Sequence, residues 1–235
     1  MTEELFRQDG YLKSCEARVI AVDAHGVRLD RTVFYPEGGG QPGDTGRLVL
    51  PGGASLRIID TKKHPESGVP VHVPEPGAAV PAAGNTVTAE IDWDRRHRHM
   101  RMHTCLHLLC AIVTGAVTGG ALSETKGRLD FDLPDTALDK EKLNAELNRL
   151  IREDHPVRPR WIADEEVAAN PELVRTMSVK PPTGTGKVRL LDIEGVDLQP
   201  CGGTHVARTG EIGAVQVGKI ENKGRHNRRI NIAFA

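Results

Sequence analysis

The stretch Thr86-Val87-Thr88-Ala89-Glu90-Ile91-Asp92-Trp93-Asp94-Arg95-Arg96-His97-Arg98-His99-Met100-Arg101-Met102-His103-Thr104-Cys105-Leu106-His107 changes its period in the middle. Up to Ile91, apolar and polar residues alternate, as in a half-buried strand. From Asp92 onward the apolar spacing becomes three and four. Met100, His103, Leu106, His107, Cys110 and Val113 fall near one face, and Asp94 is placed to cap a helix running to about Val117. The switch divides the chain near residues 90–93, into a first part, 1–92, and a second part, 93–235.

Upstream of the switch the pattern is β. Ala17–Val22 and Val27–Leu29 flank the turn Asp23-Ala24-His25-Gly26 and read as a hairpin. Strands are expected again at Arg47–Leu50, Leu56–Asp60, Val69–Val73 and Thr86–Ile91, with a Pro/Gly/Ala loop at 74–84. This predicts a small antiparallel barrel or sandwich. Downstream, Leu138, Leu143, Leu147, Leu150 and Ile151 make the stripe of a helix over 137–153, capped by Asp135 or Thr136, and a short helix is expected at Asp164–Ala169. Strands are expected at 187–193, 212–221 and 228–234. The fold class is therefore α+β: an N-terminal β-barrel, then helices on an antiparallel sheet.

Composition narrows the classes. Aromatic residues are only 3% of the 235 against 38% hydrophobic, so the cores rest on Val, Leu, Ile and Ala. Net charge is −1, which gives no bulk signal for nucleic acid, but the halves differ. Residues 1–92 carry nine basic against thirteen acidic residues, and residues 93–235 carry 22 against 19. A polyanion is expected to touch the second half. Cys15, Cys105, Cys110 and Cys201 form no disulfide framework, the start Met1-Thr2-Glu3-Glu4 is acidic, and the longest apolar run, Leu106 to Val113, is too short for a bilayer. A soluble cytoplasmic protein that touches no membrane is expected; monomer and dimer both stay open.

Two short clusters carry chemistry. His103-Thr104-Cys105-Leu106-His107 places two imidazoles one helical turn apart on one face. Cys201-Gly202-Gly203-Thr204-His205 follows Pro200, and its glycines let Cys201 and His205 turn back toward one point. Three imidazoles and one thiolate are a donor set that Zn²⁺ prefers. Four protein donors favour a closed structural site, whereas a set this rich in His does not resemble a Cys knuckle, so structural and catalytic roles both stay open. His99 is one turn too far to share the ion with His107 and reads as a group behind the ligands, on the substrate side, or exposed. Cys105 faces away from His103, and Cys110 reads as core. The metalloprotease pattern H-E-x-x-H is excluded, since Thr104 stands where its Glu would be.

Gly38-Gly39-Gly40-Gln41-Pro42-Gly43-Asp44-Thr45-Gly46 matches neither a Walker loop nor a dinucleotide fingerprint, and Gly184-Thr185-Gly186-Lys187 is followed by Val188 and a strand rather than a helix. The 38–46 segment is either a wide turn between strands or a pocket wall of backbone N–H groups and Gln41, with Asp44 available to bond loop amides.

Taken together, His103-Thr-x-x-His107, Cys201-Gly-Gly-Thr-His205 and Tyr35-Pro-Glu-Gly-Gly-Gly-Gln-Pro-Gly-Asp-Thr-Gly46 resemble the alanyl-tRNA editing proteins and the editing domain of alanyl-tRNA synthetase. Asp92-Trp93-Asp94-Arg95-Arg96 and Arg225-His226-Asn227-Arg228-Arg229-Ile230 are similar to the same family, so the resemblance covers nearly the whole chain. The threonyl-tRNA synthetase editing domain shares the metal motif without the glycine-rich half, which points to the medium-length free-standing form. The resemblance implies a deacylase acting on tRNA(Ala) mischarged with serine, with glycine as a further substrate left open. It implies zinc on His103, His107, Cys201 and His205. It places Gly38, Gly39, Gly40 and Gln41 near the substrate pocket; on chemical grounds Thr104, Gln41 and Thr204 are candidates to contact the serine hydroxyl, so that His103, His107, Thr104 and Gln41 are the candidate catalytic residues and Thr204 joins the glycine-rich motif as a candidate at the substrate. Arg95, Arg96, Arg98, Arg101, Lys219, Lys223, Arg225, Arg228 and Arg229 are the candidates for tRNA phosphates. Two other classes compete: a non-catalytic, zinc-stabilised RNA-binding module, and a general metallohydrolase of small esters.

Overall fold

Alternation along the first 91 residues is what a closed sheet requires, since each strand buries one face in a barrel and shows the other to water. The computed structural model describes residues 2–133, 138–170 and 186–235. It divides into two compact units, Met1–His97 and Arg98–Ala235.

In the first unit, β2 (Ser14–Asp23), β3 (Gly26–Leu29), β5 (Gly46–Val49), β6 (Ser55–Lys63), β7 (Pro70–Pro74) and β8 (Thr86–Ile91) close into a barrel of order β2-β3-β7-β6-β5-β8, every pair antiparallel. The expected strands are all present. Short segments β1 (Glu3–Glu4) and β4 (Arg31–Thr32) pair in parallel beside it. Val19, Val27, Leu29, Phe34, Leu48, Ile58 and Val87 fill the interior.

Several polar groups are sunk into this unit, His72 and Asp44 among them. His72 on β7 is fully buried: one ring nitrogen meets the Val27 carbonyl at 3.0 Å and the other the Thr32 hydroxyl at 2.8 Å. Asp44 accepts from the Tyr35 amide at 2.6 Å and forms a bidentate ion pair with Arg96, whose guanidinium also donates to the carbonyls of Gly10 and Val33. The segment between Tyr35 and Gly46 is therefore a built structure. Gly38 and Gln41 exchange backbone hydrogen bonds across a turn in which Gly39 and Gly40 sit at φ +59° and +82°, and the Tyr35 hydroxyl donates to the Gly38 carbonyl. Left-handed φ at two successive positions is a conformation that glycine adopts without steric cost.

The second unit is organised by α1 (Trp93–Ile112), whose residues from 98 onward belong to it. The helix stops five residues short of the expected end. Val113-Thr114-Gly115 combines β-branching with glycine, both poor helix formers, and the chain turns into β9 (Ala116–Leu122). The helix is also not one-faced: Met100, Met102, Cys105, Leu106, Leu108, Leu109 and Cys110 are all buried. It lies close on β10 (Lys126–Asp132), where a Cβ at Gly127 would come within 2.9 Å of Met102.

β9 and β10 join β14 (Val215–Asn222) and β15 (Asn227–Phe234) in an antiparallel sheet of order β14-β15-β10-β9. α2 (Lys140–Arg152) buries Leu143, Leu147, Leu150 and Ile151 as expected. Its cap is Asp139, which accepts from the amides of Glu141 and Lys142; Asp135 and Thr136 lie outside the described residues, as do Gly184 and Thr185. Asn144 and Asn148 of α2 satisfy the exposed backbone of Val215 and Val217 on edge strand β14. The region expected as a strand from 212 begins instead as a 3-10 turn, Thr209–Ile212. A second sheet, order β11-β12-β13, is formed by β11 (Val157–Ala163), β12 (Lys187–Ile193) and β13 (Asp197–Pro200), with α3 (Asp164–Ala169) on one side. Among the described residues no helix is long and apolar enough to cross a membrane.

Burial holds the His72 imidazole down to about 4 despite its bond to the Val27 carbonyl. The unfolded chain protonates at the ordinary histidine value near 6.5, so it binds the proton first as pH falls. Stability is then lost from about pH 6.5 downward and the loss is complete near pH 4, worth about 3 kcal/mol. Denaturant titrations of the wild type and of His72→Gln across this window should show a slope that the variant lacks.

Candidate metal centre

α1 turns His103 and His107 to the same side, and the irregular chain after β13 delivers Cys201 and His205 to the same point. The four donor atoms lie within 4.8 Å of one another, and the four residues are buried or, for Cys201, half-buried. Cys201 Sγ is 3.2 Å from His205 Nε2 and 3.6 Å from His103 Nε2. Tetrahedral donors at bond lengths of about 2.0–2.3 Å stand about 3.3–3.8 Å apart, so the spacing fits one ion. The ring centroids of the three histidines are 4.4–5.4 Å apart.

A hydroxyl stands behind one donor ring and a carboxylate behind another. Thr104 Oγ1 donates to the Met100 carbonyl at 2.9 Å, accepts from the Val206 amide at 3.3 Å and stands 3.3 Å from His205 Nδ1. With its proton committed to Met100, the hydroxyl accepts from Nδ1–H and leaves Nε2 of His205 as a lone-pair donor. On the other side, His107 Nδ1 lies 3.5 Å from Oδ2 of the buried Asp197, which is in turn held by the Gln199 side-chain amide at 2.5 Å. A carboxylate behind a histidine orients the ring and raises its basicity as a ligand.

The cysteine loop is also braced. Arg189 of β12 donates to the carbonyls of Cys201 at 2.7 Å and Gly203 at 3.1 Å, and the Cys201 amide returns to the Arg189 carbonyl. The Gly203 amide points at Cys201 Sγ. Burial pushes the Cys201 thiol up, but His103, His205 and His107 outweigh it and hold the thiol well below its ordinary value. Burial alone favours neutral His107, yet the Cys201 thiolate and Asp197 raise it to about 9. Burial keeps His205 well below the ordinary imidazole range, against the pull of Cys201. A thiolate and neutral imidazoles are the protonation states that bind a metal; Cys201 and His205 already stand in theirs, whereas His107 gives up a proton when a metal binds. Cys105, buried on the same helix between His103 and His107, has nothing to offset desolvation; its thiol rises to about 12 and is inert.

The remaining site residues are distributed unevenly. Thr104 is fully buried and all three hydrogen-bonding directions of its hydroxyl are used, so it is a positioning residue rather than one that touches substrate. Thr204 is buried, as is His99, which rules out the exposed reading of that histidine. Gly38, Gly39, Gly40 and Gln41 belong to the first unit.

Three of the phosphate-binding candidates have partners inside the fold. Arg96 is completely buried on Asp44, Arg101 donates to the Ile212 carbonyl and covers the Phe234 ring, and Arg229 is paired with Asp130 through two bonds of 2.7 and 2.8 Å. Arg95 spends one donor on the Gly43 carbonyl. Lys219, Lys223 and Arg225 are exposed, Arg98 is exposed beside Glu124, and Arg228 is half-buried. Lys219 and Lys223 meet Glu221 at 3.7 and 3.1 Å, surface pairs of small worth.

Asp197, Arg189 and the bracing role of Thr104 were not visible in the sequence. Each acts between segments far apart along the chain, and only the position of Asp197 four residues before Cys201 hinted at a neighbour.

Comparison with known proteins agrees with both halves. Residues 188–231 match the family described as threonyl and alanyl tRNA synthetase second additional domain, and residues 8–95 match class II (A) tRNA synthetases. The barrel and the donor cluster thus define a protein assembled from synthetase-type parts. Alanyl-tRNA editing protein AlaX-M of Methanosarcina acetivorans is 40% identical over 242 residues, covering 98% of each chain. The AlaX-M of Saccharolobus solfataricus is 36% identical, again over 98% of each. An alanine–tRNA ligase of Saccharolobus islandicus is 36% identical over 94% of this chain but only 25% of the ligase. The chain belongs to the alanyl-tRNA editing protein family.

If Asp197 orients His107, Asp197→Asn should weaken divalent-metal binding by about 10–100-fold, and Thr104→Val should act in the same direction through His205. Competition against a chromophoric chelator measures both. Wild-type affinity in Asp197→Asn would remove the carboxylate from this role.

Proposed function

We propose that this aminoacyl-tRNA deacylase hydrolyses the ester of tRNA(Ala) mischarged with serine, using zinc held by His103, His107, Cys201 and His205. The observation that carries the reading is the convergence of these four donors within 4.8 Å in a chain of the alanyl-tRNA editing family. The donor set suits zinc because it combines one thiolate with three imidazoles. When bound, zinc supplies Lewis acidity and a fixed positive charge at the reacting ester.

The chain's own residues hold the rest. Thr104 and Asp197 orient the rings, Arg189 keeps the Cys201 loop in place, and the buried setting excludes bulk water from the ligands. An aminoacyl ester is already activated, so a modest catalyst suffices. Serine differs from alanine by one hydroxyl, and a site that hydrogen-bonds it rejects the analogue lacking it far better than an apolar pocket could. The family resemblance assigns this discrimination to Gly38, Gly39, Gly40 and Gln41; the reciprocal Gly38–Gln41 bonds, which make the turn rigid, support that assignment. Thr204 is the other candidate. Glycine, carrying no hydroxyl, is the expected weaker substrate.

The tRNA is held by its backbone at the exposed cations of β14–β15. Such an enzyme serves translation fidelity in the cytoplasm, and its four free cysteines fit a reducing compartment.

Deacylation assays on Ser-, Gly- and Ala-tRNA(Ala), with and without chelator, test the reading directly. Ser-tRNA(Ala) should be hydrolysed fastest and Ala-tRNA(Ala) spared. Chelation or His107→Ala should abolish turnover while the far-ultraviolet dichroism persists; unfolding on metal removal would favour a structural ion instead. Ser-tRNA(Ala) left intact with zinc present would sink the proposal.

Charge removal at Lys219, Lys223 and Arg225 provides a second test. Each should raise KM for Ser-tRNA(Ala) and flatten the dependence of log(kcat/KM) on log salt by about one for each phosphate no longer neutralised. Arg229→Gln should instead lower stability, because it removes the two charged bonds that hold the buried Asp130.

A further inference from the structure

Trp161 of the second unit leaves 48% of its surface open, and neither the metal centre nor the core uses it. Its position is set by register. On edge strand β11, Trp161 is the direct partner of Arg189, as Pro159 is of Leu191 and Val157 of Ile193. On the next strand pair, Leu191 faces Gln199 and Ile193 faces Asp197. Directly opposed residues project to the same side of a sheet. Trp161 therefore shares one face of the sheet with Arg189, Gln199 and Asp197.

That face looks toward the metal. Asp197 reaches His107, and Arg189 grips the carbonyls of Cys201 and Gly203. The other face, with Val188 and Leu190, is buried against Val167 of α3. Cβ atoms of opposed residues are about 4.5–5.5 Å apart, so the indole stands one arginine side chain from the metal loop, on the outer strand of the described sheet. Lys187, diagonal to Trp161 on the same face, adds a cation beside the ring.

An aromatic plate flanked by cations, next to a centre that acts on an ester, fits a particular ligand chemistry. In every aminoacyl-tRNA the ester sits on the terminal adenosine of an unpaired 3′ end. Unpaired bases are bound by stacking on aromatic rings, while neighbouring cations follow the backbone. We propose that Trp161 is the stacking platform for the terminal adenine, positioning the ester over the metal centre. The inference rests on the deacylase reading and names a subsite within it. Trp161 is a substrate-binding residue: it touches the nucleobase and not the reacting atoms.

The test uses uncharged tRNA(Ala) with 2-aminopurine in place of the terminal adenine. Stacking should quench its fluorescence on binding to the wild type and to Trp161→Phe. Trp161→Leu, which keeps apolar bulk without a ring, and Trp161→Ala should leave it bright. On Ser-tRNA(Ala), the Leu and Ala variants should raise KM on the order of tenfold with kcat, metal content and melting temperature unchanged, and Phe should restore most of the loss. Absence of quenching in the wild type, or equal quenching in Trp161→Leu, overturns the proposal. A wild type that binds and quenches yet leaves Ser-tRNA(Ala) intact would overturn the substrate assignment while supporting the platform.

Discussion

Burying a thiol among three imidazoles is costly unless their protonation states are fixed and something positive is shared between them. That requirement organises the second unit. The helix α1 contributes two rings at a spacing that the backbone alone determines. The other two donors come from an irregular segment, and irregular segments have no geometry of their own. They need bracing from outside, and here Arg189, Thr104 and the Cys201–Arg189 backbone bond supply it. Thr104 links both sources, since it sits on the helix and bonds the residues around His205. The threonine between the histidines is thus where the helix reads the position of the loop.

The first unit solves a comparable problem without a metal. Asp44 and Arg96 are both buried, an arrangement that is favourable only when the geometry is good and the remaining donors are satisfied. Here Asp44 also accepts from Tyr35, and Arg96 also binds two carbonyls. Removing either partner would leave a buried charge behind, which typically costs about 3–5 kcal/mol.

Much of this was legible in the sequence, and the parts that were not share a cause. The six barrel strands showed themselves by alternation, and α2 by its leucine stripe, because one-sided burial leaves a periodic trace. The four metal donors were readable because two of them sit at helical spacing and two flank a glycine pair. The end of α1 was misplaced because its last turns are buried on every side, which erases the period, and because Val113 and Val117 extend an apolar run across a real boundary. β9, with Gly119 and Gly120 inside it, and β11, with Pro159, lack the composition expected of strands. Arginines are where the sequence says least. Arg95, Arg96, Arg98 and Arg101 look alike along the chain, yet one is exposed, one is fully buried and two are bonded to backbone carbonyls. A guanidinium that serves as an internal tie cannot be told from one that meets phosphate until its partners are in place.

The Asp44–Arg96 tie has a consequence for the order in which the protein is made. The last barrel strand is complete at Ile91, and a ribosome that has released this much chain has supplied every strand that the closed sheet needs. Asp44 then lies in a nearly finished interior with no counter-charge, and the carbonyls of Gly10 and Val33 wait for donors. Only when the first turn of α1 has emerged does one side chain settle residues 10, 33 and 44 at once. The smallest self-sufficient piece of the first unit thus ends beyond Arg96 rather than at the last strand, and maturation of the barrel waits on the beginning of the helix that also carries the metal ligands.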